Sequence, residues 1–263
     1  MDLGLTGKRA LVLASSTGLG YATARQLALE GAHTVFSSRS LERAQQAAAQ
    51  VAAEAASATV HALAVDVANA ESLAAAVNEA ATLLGGLDIL VVNAGGPPPG
   101  DFQTLSEEQW ATAHDLTLQS AVRAVRSALP HLTAAGGGSI TFLGSSSVKQ
   151  PIPNLLLSNV YRAGVQALSK HLASELAPEH IRVNMISPGR VLTDRITQLD
   201  EARANKTGKS LETVRAESVA TIPMGRLGDP QEFGNVAAFL ASPAASYVTG
   251  ASWLVDGGSV KAF

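Results

Sequence analysis

A run of small residues from Ala14 to Gly20 has the composition of a phosphate-binding loop. It follows a short apolar run and leads into an alanine-rich segment, which is the pattern of a buried strand, a tight loop and a helix. Free backbone N–H groups at a helix N-terminus favour an anion such as a diphosphate. The candidate residues of the loop are Ala14, Ser15, Ser16, Thr17, Gly18, Leu19 and Gly20.

Candidates for the rest of a dinucleotide follow later strand-like runs. Arg39 stands where an acidic residue would bind the ribose hydroxyls of NAD, and its guanidinium suits the 2′-phosphate of NADP. Asp66 suits an adenine amino group, and small residues after the fourth run let a ribose approach the backbone. We therefore expect NADP(H) as the preferred cofactor, with NAD(H) as the alternative. The residues concerned are Ser38, Arg39, Asp66, Val67, Asn93, Ala94 and Gly95.

These candidates must be positioned by strands and helices that alternate along the whole chain. The alternation predicts parallel β-α-β units, in which the ligand lies at the carboxyl ends of the strands. Ser106 with Gln109 predicts a helix running to about His131, and Asp229 with Pro230 predicts a second helix start. The predicted strands are residues 10–14, 34–37, 60–64, 89–92, 139–143, 181–186 and 252–255.

Composition excludes several classes of protein. The 263 residues can form one α/β domain, and the net charge of -3 without a Lys/Arg cluster argues against a nucleic-acid partner. There is no cysteine, and the six histidines lack metal-ligand spacing, so no metal site is expected. No apolar run is long enough for a membrane span and the start lacks a signal-peptide pattern, so we expect a cytoplasmic protein.

The order and spacing of several short motifs make the chain similar to the short-chain dehydrogenases/reductases, of the type that includes 3-oxoacyl-acyl-carrier-protein reductases. The similarity covers essentially the whole sequence. The motifs are the loop 14–20, Asp66-Val67, Asn93-Ala94-Gly95, Ser145, Arg182-Val183-Asn184, Ser187-Pro188-Gly189, Thr193 and Val255-Asp256-Gly257-Gly258.

This resemblance implies a single Rossmann-type domain over residues 1–263. The fold would be a three-layer α-β-α sandwich, with a seven-stranded parallel sheet in the order 3-2-1-4-5-6-7. It also implies a homotetramer and a nicotinamide held by Pro188, Gly189 and Thr193. Residues 190–222 would form the substrate lid. The cations of residues 194–222 are expected to be a solvated face or, alternatively, a site for an anionic substrate or a carrier phosphopantetheine. They are Arg195, Arg203, Lys206, Lys209 and Arg215.

The chain departs from the family pattern in its phosphate loop. Ala14 replaces the first glycine, and alanine adopts a positive φ only at a cost. We expect a slightly reshaped turn that still binds phosphate through Ser15 and Ser16.

The catalytic positions depart further, which marks a divergent subgroup without the Tyr-x-x-x-Lys pair. Ser145 matches the family serine, but Ser158 stands at the tyrosine position, Arg162 at the lysine position and Thr117 at the helix asparagine. A serine hydroxyl is a far weaker acid than a phenol, and an arginine stays charged instead of passing a proton. Arg162 can still hold the cofactor ribose and stabilise negative charge.

Two other residues are candidate proton donors. Tyr161 lies three residues after Ser158, and the alternative is that it packs against a neighbouring helix or subunit. Lys149 lies four residues after Ser145 on a loop, and the alternative for it is a lysine that faces solvent. The candidate catalytic set is therefore Ser145, Ser158, Tyr161 and Arg162.

The sequence thus predicts an NADP(H)-preferring oxidoreductase that acts on a small-molecule carbonyl or alcohol. A nucleotide-binding protein without hydride transfer, serving as a sensor or assembly partner, is the alternative, because three of four catalytic positions are changed. A third hypothesis keeps the oxidoreductase and changes the substrate to a C=C or C=N bond.

Overall fold

Seven parallel strands form one continuous sheet in the order β3-β2-β1-β4-β5-β6-β7. The computed structural model describes residues 1–262. The strands are β1 (Arg9–Val12), β2 (His33–Ser38), β3 (Val60–Ala64), β4 (Ile89–Val92), β5 (Gly138–Leu143), β6 (Ile181–Pro188) and β7 (Ser252–Val255). The predicted strands and their order are confirmed, with bounds that shift by at most two residues.

Helices cover both faces of this sheet. They are α1 (Gly18–Leu29), α2 (Leu41–Glu54), α3 (Ala70–Leu84), α4 (Glu107–His114), α5 (Ser120–Ala134), α6 (Leu156–Glu175), α7 (Asp194–Thr207), α8 (Leu211–Val219) and α9 (Pro230–Ala241). Helices α1, α2 and α9 pack over one apolar cluster, and α3, α5 and α6 pack over the other. The result is the three-layer sandwich that the alternation of elements predicts.

The strands in the middle of the sheet are apolar because both of their faces are covered. All four residues of β4 are buried, as are three of the four residues of β1. A parallel strand between two helix layers has no face for polar side chains. The polar candidates therefore lie mostly outside the strands, in the loops beyond their carboxyl ends and on the helices that pack there.

The helix that begins after Ser106 is interrupted. Both hydrogen bonds of its capping box are present, which confirms the predicted start. A single π-helical turn, Asp115–Gln119, then separates α4 from α5. The sequence pattern predicts one helix from Ser106 to about His131 and does not indicate this turn. Such turns widen a helix locally and recur at functional sites.

None of the helices within residues 1–262 is long and apolar enough to cross a membrane.

Candidate active site

The phosphate loop keeps a left-handed turn at Ala14. This residue has a φ of +48°, in the region that favours glycine. Whether the turn is reshaped relative to a loop with glycine at this position stays a prediction. The turn is held from outside, because the Asn93 side-chain Nδ2 donates a 3.0 Å hydrogen bond to the Ala14 carbonyl oxygen. The alanine carries the strain that a glycine would avoid.

Ser15 supports the loop from inside. Its side chain is fully buried, and its hydroxyl donates to the Val12 carbonyl oxygen at 2.8 Å and accepts from the Ser37 N–H at 2.9 Å. The hydroxyl hydrogen is thus already used within the protein, contrary to the expectation that Ser15 binds phosphate through its side chain. Ser16, which is partly exposed, is the loop serine left to face a phosphate.

The N-terminus of α1 is open toward this loop. Thr17 precedes the helix and makes no side-chain cap, so the first backbone N–H groups stay available to an anion. A Cβ on Gly20 would lie 2.4 Å from the Ala14 carbonyl oxygen and 2.7 Å from the Asn93 Nδ2. The start of α1 and the turn at Ala14 therefore lie so close together that no side chain would fit at Gly20. Together they form a cradle of backbone groups suited to a diphosphate.

The loops after β2 and β3 place the adenosine candidates at the same edge of the sheet. Arg39 is exposed, and its guanidinium makes no hydrogen bond or ion pair with residues 1–262. Asp66 uses one carboxylate oxygen to accept the Ala68 N–H at 3.0 Å and keeps the other free. Val67 is buried beneath it, and Ser38 accepts a 3.3 Å bond from a nearby backbone N–H. Arg39 is thus free to pair with a phosphate.

The ribose candidates follow β4. Ala94 packs against the apolar cluster beneath the sheet. Nothing lies within 4 Å of the position that a Cβ on Gly95 would take. This open space beside the backbone is consistent with a ribose lying against it.

The nicotinamide candidates follow β6. A Cβ on Gly189 would lie 2.6 Å from the Asp256 Cβ, so the strand passes the C-terminal loop with no room for a side chain. Thr193 directly precedes α7, and its methyl carbon lies 3.8 Å from where a Gly18 Cβ would be. The β6 loop, including Pro188, therefore lies opposite the phosphate loop, as one extended ligand would require.

Ser145 and Arg162 lie beside the end of β5. The Arg162 Nη1 donates a 2.8 Å hydrogen bond to the Leu143 carbonyl oxygen. The Ser145 Oγ accepts the Ser147 N–H at 3.1 Å, which leaves its own hydrogen free to donate. Burial first, and then the positive charge of Arg195, lower the pKa of Arg162 to about 10. Arg162 remains a cation at neutral pH.

Ser158 and Thr117 complete the group. Helix α6, which carries Ser158 and Arg162, packs against both the π turn and the short helix after Ser145. Both hydroxyl residues are buried, and the Thr117 Oγ1 has no hydrogen-bond partner within residues 1–262. The structure therefore packs together the elements that carry the four positions named by the resemblance, and three of these positions have changed side chains.

Tyr161 lies outside this group. Its hydroxyl donates to the Trp110 carbonyl oxygen at 3.0 Å, and its ring packs edge-on against Trp110 and His114 of α4. Burial raises the pKa of Tyr161, with a smaller contribution from the negative charge of Glu107. A catalytic tyrosine needs the opposite shift. The placement contradicts Tyr161 as the proton donor and agrees with the packing alternative.

Lys149 ends the short helix after Ser145 and is partly exposed. Its ammonium makes no hydrogen bond within the described residues. Lys149 therefore stays either a candidate proton donor or a lysine that faces solvent.

The charges of the predicted lid divide into two groups. Most are paired within α7 and α8: Arg203 and Lys209 contact Glu217, and Arg215 lies near the buried Asp200. Arg195 differs, because its Nη2 donates to the Pro97 carbonyl oxygen at 2.8 Å, beyond the end of β4. Sequence reasoning grouped Arg195 with the other lid cations and missed its separate location. The only sequence signal for this location is the position of Arg195, two residues after Thr193.

Within residues 1–262, no cluster of His, Asp or Glu could hold a metal ion. Fold and site together define a Rossmann-type protein whose phosphate loop and polar side chains lie at the carboxyl edge of one parallel sheet. The comparisons with known proteins agree. Residues 13–260 match the family model described as "Enoyl-(Acyl carrier protein) reductase". The chain thus belongs to the short-chain dehydrogenase/reductase family of oxidoreductases.

The relatives include reductases with known cofactors. L-sorbose reductase from Gluconobacter frateurii, solved with NADPH and L-sorbose, is 34% identical with a TM-score of 0.94 over 100% of both chains. YwfH, an NADPH-dependent reductase involved in bacilysin biosynthesis, is 30% identical with a TM-score of 0.92 over 97% of this chain and 100% of its own. Dehydrogenase/reductase SDR family member 4 from Bos taurus is 36% identical over 98% of this chain and 88% of its own.

The strained turn predicts a stabilising substitution. Ala14→Gly should raise the free energy of unfolding by about 0.5–1 kcal/mol, because glycine adopts a positive φ without the steric cost. Ala49→Gly, at an exposed position inside α2, is the matched control and should lower it by a similar amount. Urea unfolding measures both. A destabilised Ala14→Gly protein would contradict the strain at this residue.

Arg162 is a partly buried cation, and replacing it should change the melting temperature differently from replacing Arg182. Because burial lowers the pKa of Arg162 to about 10, its charge opposes folding below that pH, and this penalty disappears as the pH rises through it. Arg162→Met should leave the melting temperature unchanged or higher at neutral pH. Arg182 donates to four carbonyl oxygens, so Arg182→Met should lower it by several degrees. Differential scanning calorimetry at neutral pH compares the two, and a clear loss at Arg162→Met would contradict the account.

Proposed function

We propose that this protein is an NADP(H)-preferring reductase of carbonyl compounds with an atypical catalytic group. The observation that carries the proposal is the guanidinium of Arg162, fixed at the Leu143 carbonyl beside the free hydroxyl of Ser145. A cation and a hydroxyl donor at one point suit an oxygen that gains negative charge.

The cofactor assignment rests on the cradle and on Arg39. The diphosphate would lie on the α1 N-terminus, and the unpaired guanidinium of Arg39 would bind the 2′-phosphate. The NADPH complex of the related L-sorbose reductase supports this assignment. NADPH, when bound, supplies the hydride that forms the new C–H bond.

Each catalytic residue has one task in this proposal. Ser145 donates a hydrogen bond to the carbonyl oxygen and orients it. Arg162 stabilises the charge that develops there and contacts the nicotinamide ribose. Ser158 donates its proton to the oxygen and regains one from water, so a ketone becomes an alcohol. The protein needs no phenol for this path, because Arg162 stabilises the alkoxide that hydride transfer forms, and its proton then comes from water by way of Ser158.

The proposed quaternary structure follows the family resemblance, and the proposed location is the one expected from the sequence. We propose a homotetramer in the cytoplasm, with residues 190–222 as the lid over a small-molecule substrate.

The cofactor proposal predicts a charge-dependent preference. Arg39→Asp should weaken NADPH binding by about 10- to 100-fold, since a charge-assisted pair with phosphate is lost and repulsion is added. Binding of NADH should be unchanged or improved, because an acidic residue can accept from the ribose hydroxyls. Arg126→Asp, an exposed change on α5, is the control for net charge. Calorimetric titration measures both cofactors. Equal losses for NADPH and NADH would contradict a 2′-phosphate contact.

The catalytic proposal predicts that Ser158 matters for turnover and Tyr161 does not. Ser158→Ala should lower kcat by roughly 100-fold, the scale of a lost general acid. Tyr161→Phe should keep kcat near wild type while lowering stability by about 1 kcal/mol, because it loses the bond to the Trp110 carbonyl. NADPH oxidation with a panel of small ketones and aldehydes tests both. Abolished turnover in Tyr161→Phe would restore Tyr161 as the donor. Tight NADPH binding with no turnover in any assay would favour the non-catalytic alternative.

A further inference from the structure

Two guanidinium groups at the candidate site have no acidic partner. Arg162 donates to the Leu143 carbonyl and Arg195 to the Pro97 carbonyl, each at 2.8 Å. Among residues 1–262, neither forms a salt bridge. Asp194, the acidic neighbour of Arg195 in sequence, is exposed and pairs with neither. Each arginine therefore keeps several N–H donors unused.

The two carbonyl groups that hold these arginines lie at one edge of the sheet, beyond the ends of adjacent strands. Leu143 ends β5, and Pro97 lies beyond β4, which pairs with β5 in parallel. The Arg195 guanidinium passes 3.2 Å from the position of a Gly96 Cβ, so the loop after β4 holds it against the site. The charge of Arg195 also contributes to the lowered pKa of Arg162. The two cations thus share one electrostatic environment.

Partly buried cations without a counter-charge are costly, and this chain pairs most of the others in the same region. Arg190 and Arg215 surround the buried Asp200, and Arg203 contacts Glu217. Burial lowers the pKa of Arg195, so its charge is disfavoured where it lies. A site that holds two such charges without an anion of its own is suited to an anion from outside.

Arg195 also occupies the first turn of α7, directly after Thr193. Thr193 makes no side-chain cap there, so the helix dipole and free N–H groups add to the positive field. The diphosphate cradle is a different element, the N-terminus of α1, and the 2′-phosphate has Arg39. The cofactor therefore has binding groups for its charges without Arg195.

We propose that Arg195 binds a carboxylate of the substrate while Arg162 faces its carbonyl oxygen, so that the protein reduces oxo acids. This inference rests on the proposed function and adds its substrate class. A planar guanidinium that gives one Nη2 hydrogen to Pro97 keeps its second Nη2 hydrogen and those of Nη1 and Nε free, so one of its two-donor faces can still bind a carboxylate. Arg195 acts here as a specificity residue and takes no part in proton transfer.

Binding to the complex with NADP⁺ tests this without turnover. The probes are pyruvate, acetoacetate and levulinate, each against its uncharged methyl ester, which vary the separation of carboxylate and ketone. At least one acid should bind about tenfold or more tightly than its ester, the scale of a charge-assisted pair. Arg195→Gln should remove that preference and Arg195→Lys should retain part of it. Lys206→Gln, an exposed change on the same helix, should keep it.

The outcomes separate this inference from the proposed function. No preference for any acid over its ester, or the same preference in Arg195→Gln, would overturn the inference. A weaker affinity of Arg195→Gln for NADPH would place Arg195 on the cofactor and overturn it as well. Charge-selective binding without NADPH oxidation would support the carboxylate site and contradict only the proposed reaction. A preference for the matching phosphonates over the oxo acids would overturn the carboxylate assignment.

Discussion

All seven strands run parallel, and this alignment is the constraint on which the site depends. It places every carboxyl end at one edge of the sheet. The apolar strands are covered on both faces, so polar and charged side chains gather in the loops at that edge. The phosphate loop, Arg39 and Asp66 occupy one half of the edge. Ser145, Arg162 and Arg195 occupy the other half.

The catalytic group shows how a fold can be kept while its chemistry changes. Replacing lysine by arginine keeps a cation beside β5, and the bond to the Leu143 carbonyl fixes its position. Replacing tyrosine by serine removes the one group whose acidity a neighbouring cation can tune toward neutral pH. In the proposed reaction, stabilisation of the developing charge by Arg162 compensates for this weaker acid. Burial makes that cation unfavourable for folding, which is a frequent cost of a functional site.

Much of the fold could be predicted from the sequence, because buried parallel strands are short apolar runs separated by recognisable helix starts. The features that the sequence does not reveal depend on contacts between distant residues. Ala14 keeps its positive φ because Asn93 holds it, and no local pattern reports that bond. Ser15 turns inward to β2 for the same kind of reason. The side of α6 on which Tyr161 lies, toward Trp110, follows from how α4 packs. The ion pairs of the lid, which do not include Arg195, likewise depend on tertiary contacts.

The central claim is that a reductase operates here without a catalytic tyrosine. The most direct measurement incubates the purified protein with NADPH deuterated at the transferable position and with levulinate, and analyses the product by mass spectrometry. The account predicts deuterium on the carbinol carbon of the alcohol, and about 100-fold slower formation of the labelled alcohol in Ser158→Ala. A protein that binds NADPH but transfers no deuterium to levulinate or to the other carbonyl probes would contradict it.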